Sequence, residues 1–214
     1  MAATRLPGKP LLKINNLSIV SHVFKRAEET NIGEVIVATE DQEIFTDVLK
    51  NGGKAILTRS DHKTGTDRIF EAYKKLDIKD VDYILNLQGD EPDINKDDII
   101  NLNNFMISRD AELGTLAAKI KDDKMLNNKN VVKVIVENKL EENNFPKALN
   151  FTRENLSLSN RNIYHHIGIY SYKTSILEKF VSLDQTKNEK ENKLEQLRAL
   201  DNNLKINVAL AKSS

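Results

Sequence analysis

Residues 82–92 read DYILNLQGDEP, a short apolar run that leads directly into a polar segment. The apolar run is typical of a strand covered on both faces, and the polar segment follows at its carboxyl end. Ligands of parallel α/β sheets bind outside the carboxyl ends of the strands. Gln88, Asp90 and Glu91 therefore favour a functional site over an acidic turn. A carboxylate beside Gly89 suits a magnesium ion held against a phosphate.

The same order of strand, loop and helix recurs through the first half of the chain. Short runs rich in β-branched residues at 34–38 and 55–57 predict strands, and apolar residues at helical spacing predict helices. The predicted helices cover residues 18–30, 42–51, about 68–75 and 97–108. This alternation predicts an α/β fold with a mainly parallel sheet and helices on both faces.

The pattern changes after residue 110. The predicted elements there are strands at 112–118, 131–136, 148–152, 164–172 and 205–211, a short helix at 193–200, a surface loop at 154–163 and a solvated turn at 184–193. We therefore expect a single domain over residues 1–214, with a small mixed subregion at about 110–175.

Composition limits the classes of partner. The 32 basic and 32 acidic residues give a formal net charge of zero, so no global field attracts nucleic acid or an anionic membrane. The chain has no apolar run of about 20 residues, which a membrane span requires, and its first residues lack a signal-peptide core. We therefore predict a cytoplasmic protein. The absence of cysteine favours a hard cation bound by oxygen over a thiolate site.

Three further groups of residues are candidates for binding. The loop from Arg5 to Lys9 carries two cations and a glycine, which suits a triphosphate, although a solvated surface loop gives the same pattern. Residues 62–68, HKTGTDR, open a predicted helix and are either an anion site or an ordinary capped helix start. His165 and His166 are adjacent on a predicted strand and point to opposite faces, so they do not converge on one metal.

Taken in order, seven segments resemble the successive signatures of the 3-deoxy-manno-octulosonate (Kdo) cytidylyltransferase family. They are TRLPGKPL (4–11), VIVAT (35–39), HKTGTDR (62–68), NLQGDEP (86–92), NVVKV (130–134), HIGIY (166–170) and LEQLR (194–198). The resemblance implies a Rossmann-like domain that binds CTP, and it assigns dimerisation and sugar binding to the small subregion at about 110–175. It implies Mg²⁺-assisted attack of the sugar's anomeric hydroxyl on the α-phosphate, release of pyrophosphate, and a homodimer that supplies CMP-Kdo for lipopolysaccharide synthesis.

The resemblance also implies a role for individual residues. Arg5 and Lys9 would hold the phosphates of CTP, Thr64, Gly65 and Thr66 would lie near the nucleotide with Arg68 beside them, and Asp90 would bind Mg²⁺. Lys9 and Asp90 would thus be the catalytic residues. The sugar pocket would be lined by Gln88, Arg153, His166, Tyr170, Glu195 and Gln196.

Two differences from the family's pattern give further expectations. The family has an apolar strand and an arginine-bearing loop before TRLPGKP, and a segment of the type VDTPEDL after the last strand, whose aspartate is a second metal ligand. The chain is therefore expected to be truncated at both ends and to have impaired activity. The alternatives are a related synthetase acting on a nonulosonate such as a sialic acid, or a nucleotide-binding fragment without turnover.

Overall fold

The computed structural model describes residues 8–156 and 162–212. A 3-10 helix, Lys9–Leu11, comes first. The strands are β1 (Lys13–Ile14), β2 (Leu17–Ser18), β3 (Val37–Thr39), β4 (Ala55–Leu57), β5 (Tyr83–Asn86), β6 (Leu113–Ala118), β7 (Lys133–Val136), β8 (Ala148–Thr152), β9 (Ile163–Lys173) and β10 (Ile206–Leu210). The helices are α1 (Ile19–Glu28), α2 (Gln42–Lys50), α3 (Gly65–Leu76), α4 (Lys96–Ser108), α5 (Asp123–Leu126), α6 (Thr174–Ser182), α7 (Lys187–Asn192) and α8 (Leu197–Asp201).

The chain packs as two compact units. The first unit comprises the chain up to Val81 together with Asn86–Ile100, and the second comprises Asp82–Leu85 together with the chain from Asn101 onwards. The subregion predicted at about 110–175 falls in the second unit. Its assignment to dimerisation and sugar binding stays a prediction.

In the first unit, β3 and β4 form a parallel pair in which Val37 lies opposite Ala55. Helices α2 and α3 pack against this pair, and α1 packs against α2. Each of the three helices has a side-chain cap at its amino end, from Ser18, Asp41 and Thr64. Because the two strands are parallel and in register, the residues that follow them lie side by side at one edge of the sheet.

The second unit is built on a six-stranded sheet with the order β10-β6-β9-β7-β8, in which β5 also pairs with β9. Every residue of β6 is buried, which explains its unbroken run of apolar and small residues. Strands β6 and β10 are parallel, whereas β9 runs antiparallel to β6 and to β7. The α/β class is confirmed, but this sheet is mixed. Among the described residues no helix lies between β7 and β9, and antiparallel pairing needs no crossover helix.

Most predicted elements agree with the structure to within a few residues, and three helices differ, of which α5 lies between β6 and β7 where no helix was predicted. Helix α6 was not predicted, although Leu177 and Phe180 on it are buried at helical spacing. Helix α7 lies in the predicted solvated turn, where a capping box between Thr186 and Glu189 starts it. No helix within residues 8–156 and 162–212 combines the length and the apolar character that crossing a membrane requires.

Candidate active site

The structure brings together the two residues that the sequence predicts to be catalytic. Lys9 opens the 3-10 helix directly after Gly8, whose φ of 73° places it in the left-handed region that glycine tolerates. The Lys9 ammonium donates a hydrogen bond to the Asp90 carboxylate at 3.0 Å. Both side chains are about one-third exposed, at 35% and 37%. A cation and an anion that are both reachable from solvent therefore lie at one point in the first unit. Arg5 lies outside the described residues.

The loop after β5 carries Asp90 together with two further polar side chains. The Glu91 amide donates to the Gln88 carbonyl at 3.4 Å, so the segment turns, and Gln88 itself is exposed. The pKa of Glu91 is raised, first because surrounding atoms desolvate it and then because Asp90 is also negative. Within the described ranges, no three His, Asp or Glu side chains form a group that could hold a metal ion. A metal ion at Asp90 would therefore take its other ligands from phosphate, from water or from residues outside these ranges.

Residues 62–68 form a capped helix start with an open glycine. The Thr64 hydroxyl accepts from the Asp67 amide and the Asp67 carboxylate accepts from the Thr64 amide, at 3.2 Å each. Thr66 is buried, whereas a Cβ added to Gly65 would meet nothing within 4 Å. The first-turn amides of Gly65 and Thr66 have no acceptor within the helix. The local structure is thus an ordinary cap, and it also leaves room for a ligand.

Arg68 is buried and its guanidinium is held by the protein. It donates to the Thr58 hydroxyl at 2.6 Å and to the Arg59 carbonyl at 3.1 Å, and it forms an ion pair with Glu40. Burial lowers its pKa. Arg68 therefore joins α3 to the carboxyl ends of β3 and β4. The sequence did not indicate Glu40 or Thr58, because each lies beyond a different strand and neither belongs to a motif.

The loop after β4 is fixed to α3 through Glu71. Its carboxylate forms a close pair with His62, accepts from the Arg59 amide at 3.2 Å and pairs with Lys75 at 2.7 Å. Burial acts to raise the pKa of Glu71, but the hydrogen bonds from Lys75, His62 and the Arg59 amide outweigh it and lower the pKa to about 2. The charged carboxylate thus stabilises the loop that leads to Thr64.

We expect Glu71→Gln to lower the free energy of unfolding by about 1–3 kcal/mol at neutral pH, since charged hydrogen bonds are lost. A carboxylate whose folded pKa lies below its unfolded value stabilises fully above the unfolded pKa, and this contribution is lost as the pH falls. The difference in free energy of unfolding between wild type and variant should therefore become smaller as the pH falls from 4.5 towards 2. Urea denaturation at several pH values measures it. A difference in unfolding free energy that does not change with pH would contradict the role given to the charged Glu71 carboxylate.

Two residues predicted for the sugar pocket, His166 and Tyr170, lie together on β9. Their ring centroids are 5.5 Å apart, and Phe151 meets the His166 ring edge-on at 5.0 Å. Burial lowers the pKa of His166 to about 3, with His165 and Arg153 adding to the effect, so the imidazole is neutral near pH 7. Burial likewise raises the pKa of Tyr170, with smaller contributions from Tyr172 and Glu195.

Arg153 follows β8, and its backbone is held by a buried lysine. Its guanidinium donates to the Lys129 and Asn130 carbonyls at 3.3 and 3.2 Å. Lys133 is fully buried, and its ammonium donates to the Arg153 carbonyl at 3.2 Å and to the Asn128 carbonyl at 3.0 Å. Lys133 belongs to the NVVKV segment at 130–134, but this role was not predicted from the sequence. A lysine within an apolar strand was the available signal.

Glu195 and Gln196 occupy the connection between α7 and α8. The Arg198 amide donates to the Glu195 carbonyl at 3.0 Å, and Gln196 is buried. Arg198 and Glu189 form a buried ion pair that ties the two helices together. Of the six residues predicted for the sugar pocket, Gln88 belongs to the first unit and the other five to the second.

The sequence profile of a family described as Cytidylyltransferase matches residues 1–206. The chain belongs to this cytidylyltransferase family. Two curated relatives bear the name 3-deoxy-manno-octulosonate cytidylyltransferase. The protein from Nitrobacter hamburgensis is 43% identical over 215 residues, which are 98% of this chain and 81% of that protein. The protein from Rhodopseudomonas palustris is 44% identical over 211 residues, which are 98% of this chain and 85% of that protein.

Two solved structures share the fold of this chain. A structure described as CMP:2-keto-3-deoxy-manno-octonic acid synthetase complexed with CTP matches with a TM-score of 0.86 and 34% identity, covering 97% of this chain and 85% of that one. A 4-diphosphocytidyl-2C-methyl-D-erythritol synthase from Anaerococcus prevotii matches with a TM-score of 0.60 over 95% of this chain and 84% of that one. At 14% identity, the second match shows a shared fold alone.

Proposed function

We infer that the chain is a 3-deoxy-manno-octulosonate cytidylyltransferase, an enzyme that transfers CMP from CTP to Kdo and releases pyrophosphate. The observation that carries this conclusion is the 43% identity over 98% of the chain to a protein of that name. The 0.86 TM-score to a CTP-bound synthetase of the same sugar nucleotide supports it. We propose that the product serves lipopolysaccharide synthesis and that the enzyme works in the cytoplasm, where CTP is available.

The reaction needs charge stabilisation and no covalent protein intermediate. The anomeric hydroxyl of Kdo forms a bond to the α-phosphorus of CTP and loses its proton, while the bond to the pyrophosphate oxygen breaks and the pyrophosphate takes the electron pair. In such transfers, positively charged groups aimed at the phosphates stabilise the transition state. Lys9 supports this role because its ammonium is partly exposed and held by a single carboxylate. We assign Arg5 the same role from the resemblance.

Asp90 is the side chain that we propose for Mg²⁺. Its carboxylate is a hard oxygen ligand, it is 37% exposed, and its partner Lys9 has a long flexible side chain that can turn towards a phosphate. Mg²⁺ accepts one or two protein carboxylates and takes its other ligands from phosphate and water, so a single carboxylate from the described residues is compatible with it. A bound ion would neutralise charge that develops on the phosphate oxygens.

The sugar pocket that we propose uses neutral donors and acceptors together with one cation. Arg153 would pair with the carboxylate of Kdo, since a guanidinium can bind a carboxylate through two hydrogen bonds. His166 is neutral and Tyr170 remains protonated near pH 7, so both can bind sugar hydroxyls. Glu195 and Gln196 would complete this pocket in the second unit, and we assign Gln88 to sugar binding from the resemblance alone. Thr64, Gly65 and Thr66 would face the nucleotide, with Arg68 as the residue that holds their surroundings.

We also propose that the enzyme is a homodimer. The resemblance is the ground for this proposal, and Leu149 on β8, within the subregion 110–175, is a 60% exposed apolar side chain at which an interface can be tested. Sedimentation analysis measures the mass directly, and Leu149→Lys should shift the mass towards that of a monomer.

Product analysis tests the function. The chain is incubated with CTP, Mg²⁺ and Kdo, and in parallel with a sialic acid in place of Kdo. We expect CMP-Kdo and pyrophosphate, identified by mass, and little or no CMP-sialate. Transfer to the sialic acid in preference to Kdo would contradict the assignment, and no transfer to either sugar would instead indicate a nucleotide-binding fragment without turnover.

For the sugar pocket, we expect Gln196→Ala to raise the KM for Kdo about tenfold and to leave the KM for CTP nearly unchanged, because one hydrogen bond to a sugar hydroxyl is lost. Gln42→Ala, on an exposed position of α2, is the matched control and should change neither constant. Initial rates with each substrate varied in turn measure both constants. An equal rise in the KM for Kdo and in the KM for CTP would contradict the placement of Gln196 in the sugar pocket.

A further inference from the structure

A buried hydroxyl lies directly behind His166. Thr115 is fully buried on β6, and its Oγ1 lies 3.0 Å from Nε2 of His166. The same oxygen lies 2.7 Å from the Ile169 carbonyl oxygen and 3.3 Å from that of Ile167. One side chain therefore contacts the imidazole and two backbone carbonyls of the neighbouring strand.

The contact arises from an irregularity in the sheet. Thr115 pairs with Tyr170 and Leu116 pairs with Ile167, so β9 carries two additional residues, Gly168 and Ile169, at this point. Such a bulge disrupts the ladder locally and redirects side chains. The Thr115 hydroxyl bonds the Ile169 carbonyl inside the bulge, and His166 lies two residues before Gly168.

The number of protons fixes the direction of each hydrogen bond. A hydroxyl has one proton, and a carbonyl can only accept, so at 2.7 Å the Thr115 hydroxyl donates to Ile169. The hydroxyl oxygen is then left as an acceptor for His166, and the Nε2 atom must carry the ring proton. Since a neutral imidazole has a single N–H, Nδ1 is left as an acceptor.

We propose that Thr115 is a positioning residue for sugar specificity. It holds His166 as the Nε2–H tautomer, so that Nδ1 accepts a hydrogen bond from a hydroxyl of the acceptor sugar. The proposal rests on the function inferred above. It predicts a preference for sugars that carry a hydroxyl donor at the position facing His166, because an analogue lacking that hydroxyl would leave Nδ1 without a donor.

The tautomer can be measured without turnover. Nitrogen NMR of protein labelled with ¹⁵N-histidine distinguishes the two neutral tautomers, and His166→Asn assigns the signals. We expect His166 in the wild type to be protonated at Nε2. A wild-type His166 protonated at Nδ1 overturns the proposal, whether or not the chain makes CMP-Kdo. Absence of CMP-Kdo from the wild-type reaction would instead contradict the function.

Kinetics test the consequence for the sugar. Thr115→Val keeps the shape and removes the hydroxyl, and we expect it to raise the KM for Kdo by about tenfold with the KM for CTP unchanged. Thr115→Ser restores the hydroxyl and should remain near wild type. Ser171→Ala is the matched control, because this buried hydroxyl on β9 has no hydrogen-bond partner among the described residues. An unchanged KM for Kdo in Thr115→Val, or an equal rise in the KM for Kdo and in the KM for CTP, would overturn the proposal. If Thr115→Val does not fold, the wild-type tautomer decides.

Discussion

Asp90→Asn lowers kcat for CMP transfer by an expected factor of about 10² to 10³, a magnitude typical of losing one electrostatic stabiliser of a transition state. Asparagine is nearly isosteric with aspartate, so the change removes charge and leaves shape. In the free enzyme the Asp90 carboxylate pairs with Lys9 at 3.0 Å. When CTP is bound, we expect Lys9 to turn to a phosphate and the carboxylate to bind Mg²⁺, so its charge acts mainly during the reaction.

Magnesium titration separates this role from a structural one. Initial rates as a function of Mg²⁺ concentration should show a higher half-saturating concentration for Asp90→Asn than for wild type. Asp93→Asn, an exposed aspartate three positions further along the same loop, is the matched control and should behave as wild type. Lys9→Met should also lower kcat but leave the half-saturating Mg²⁺ concentration unchanged. If Asp90→Asn leaves the Mg²⁺ dependence unaltered, Asp90 does not bind the metal and the loop after β5 is an ordinary acidic turn.

The sequence pattern itself indicated Asp90, whereas the role of Lys9 came from the family resemblance, because a solvated surface loop gives the same pattern. A polar segment after an apolar strand lies at the sheet edge where ligands bind, and a loop with glycine and cations suits phosphates. The residues that hold the site could not be predicted in the same way. Thr115 meets His166 across two strands, and the contact depends on a bulge whose position no local pattern indicates.

Helix α7 shows a second limit of sequence reasoning. Its residues are almost entirely polar, and such composition usually indicates a solvated segment. The helix is stabilised instead by its capping box and by an ion pair with α8. The main sequence signal for a helix is the periodic spacing of apolar residues, and neither of these interactions produces that spacing.

The largest expected effect on stability belongs to that ion pair. Arg198 donates to both carboxylate oxygens of Glu189, at 2.9 and 2.6 Å, and its guanidinium lies 4.7 Å from the centre of the Phe180 ring. The side chains of Arg198 and Glu189 are 2% and 4% exposed. Arg198→Met should therefore lower the free energy of unfolding by about 3–5 kcal/mol, because Glu189 is left as a buried charge without its partner.

A second substitution distinguishes loss of charge balance from loss of packing. Combining Arg198→Met with Glu189→Met removes both charges, and we expect it to recover much of the lost stability, since apolar replacement of a whole buried pair is often neutral or stabilising. Lys187→Met, which breaks the exposed pair with Glu191, should cost less than about 1 kcal/mol. Urea denaturation measures all three variants. If the double variant is no more stable than Arg198→Met, the cost lies in packing around Phe180. If it recovers stability but has a higher KM for Kdo than the wild type, the ion pair itself sets the position of Glu195 and Gln196 between the two helices.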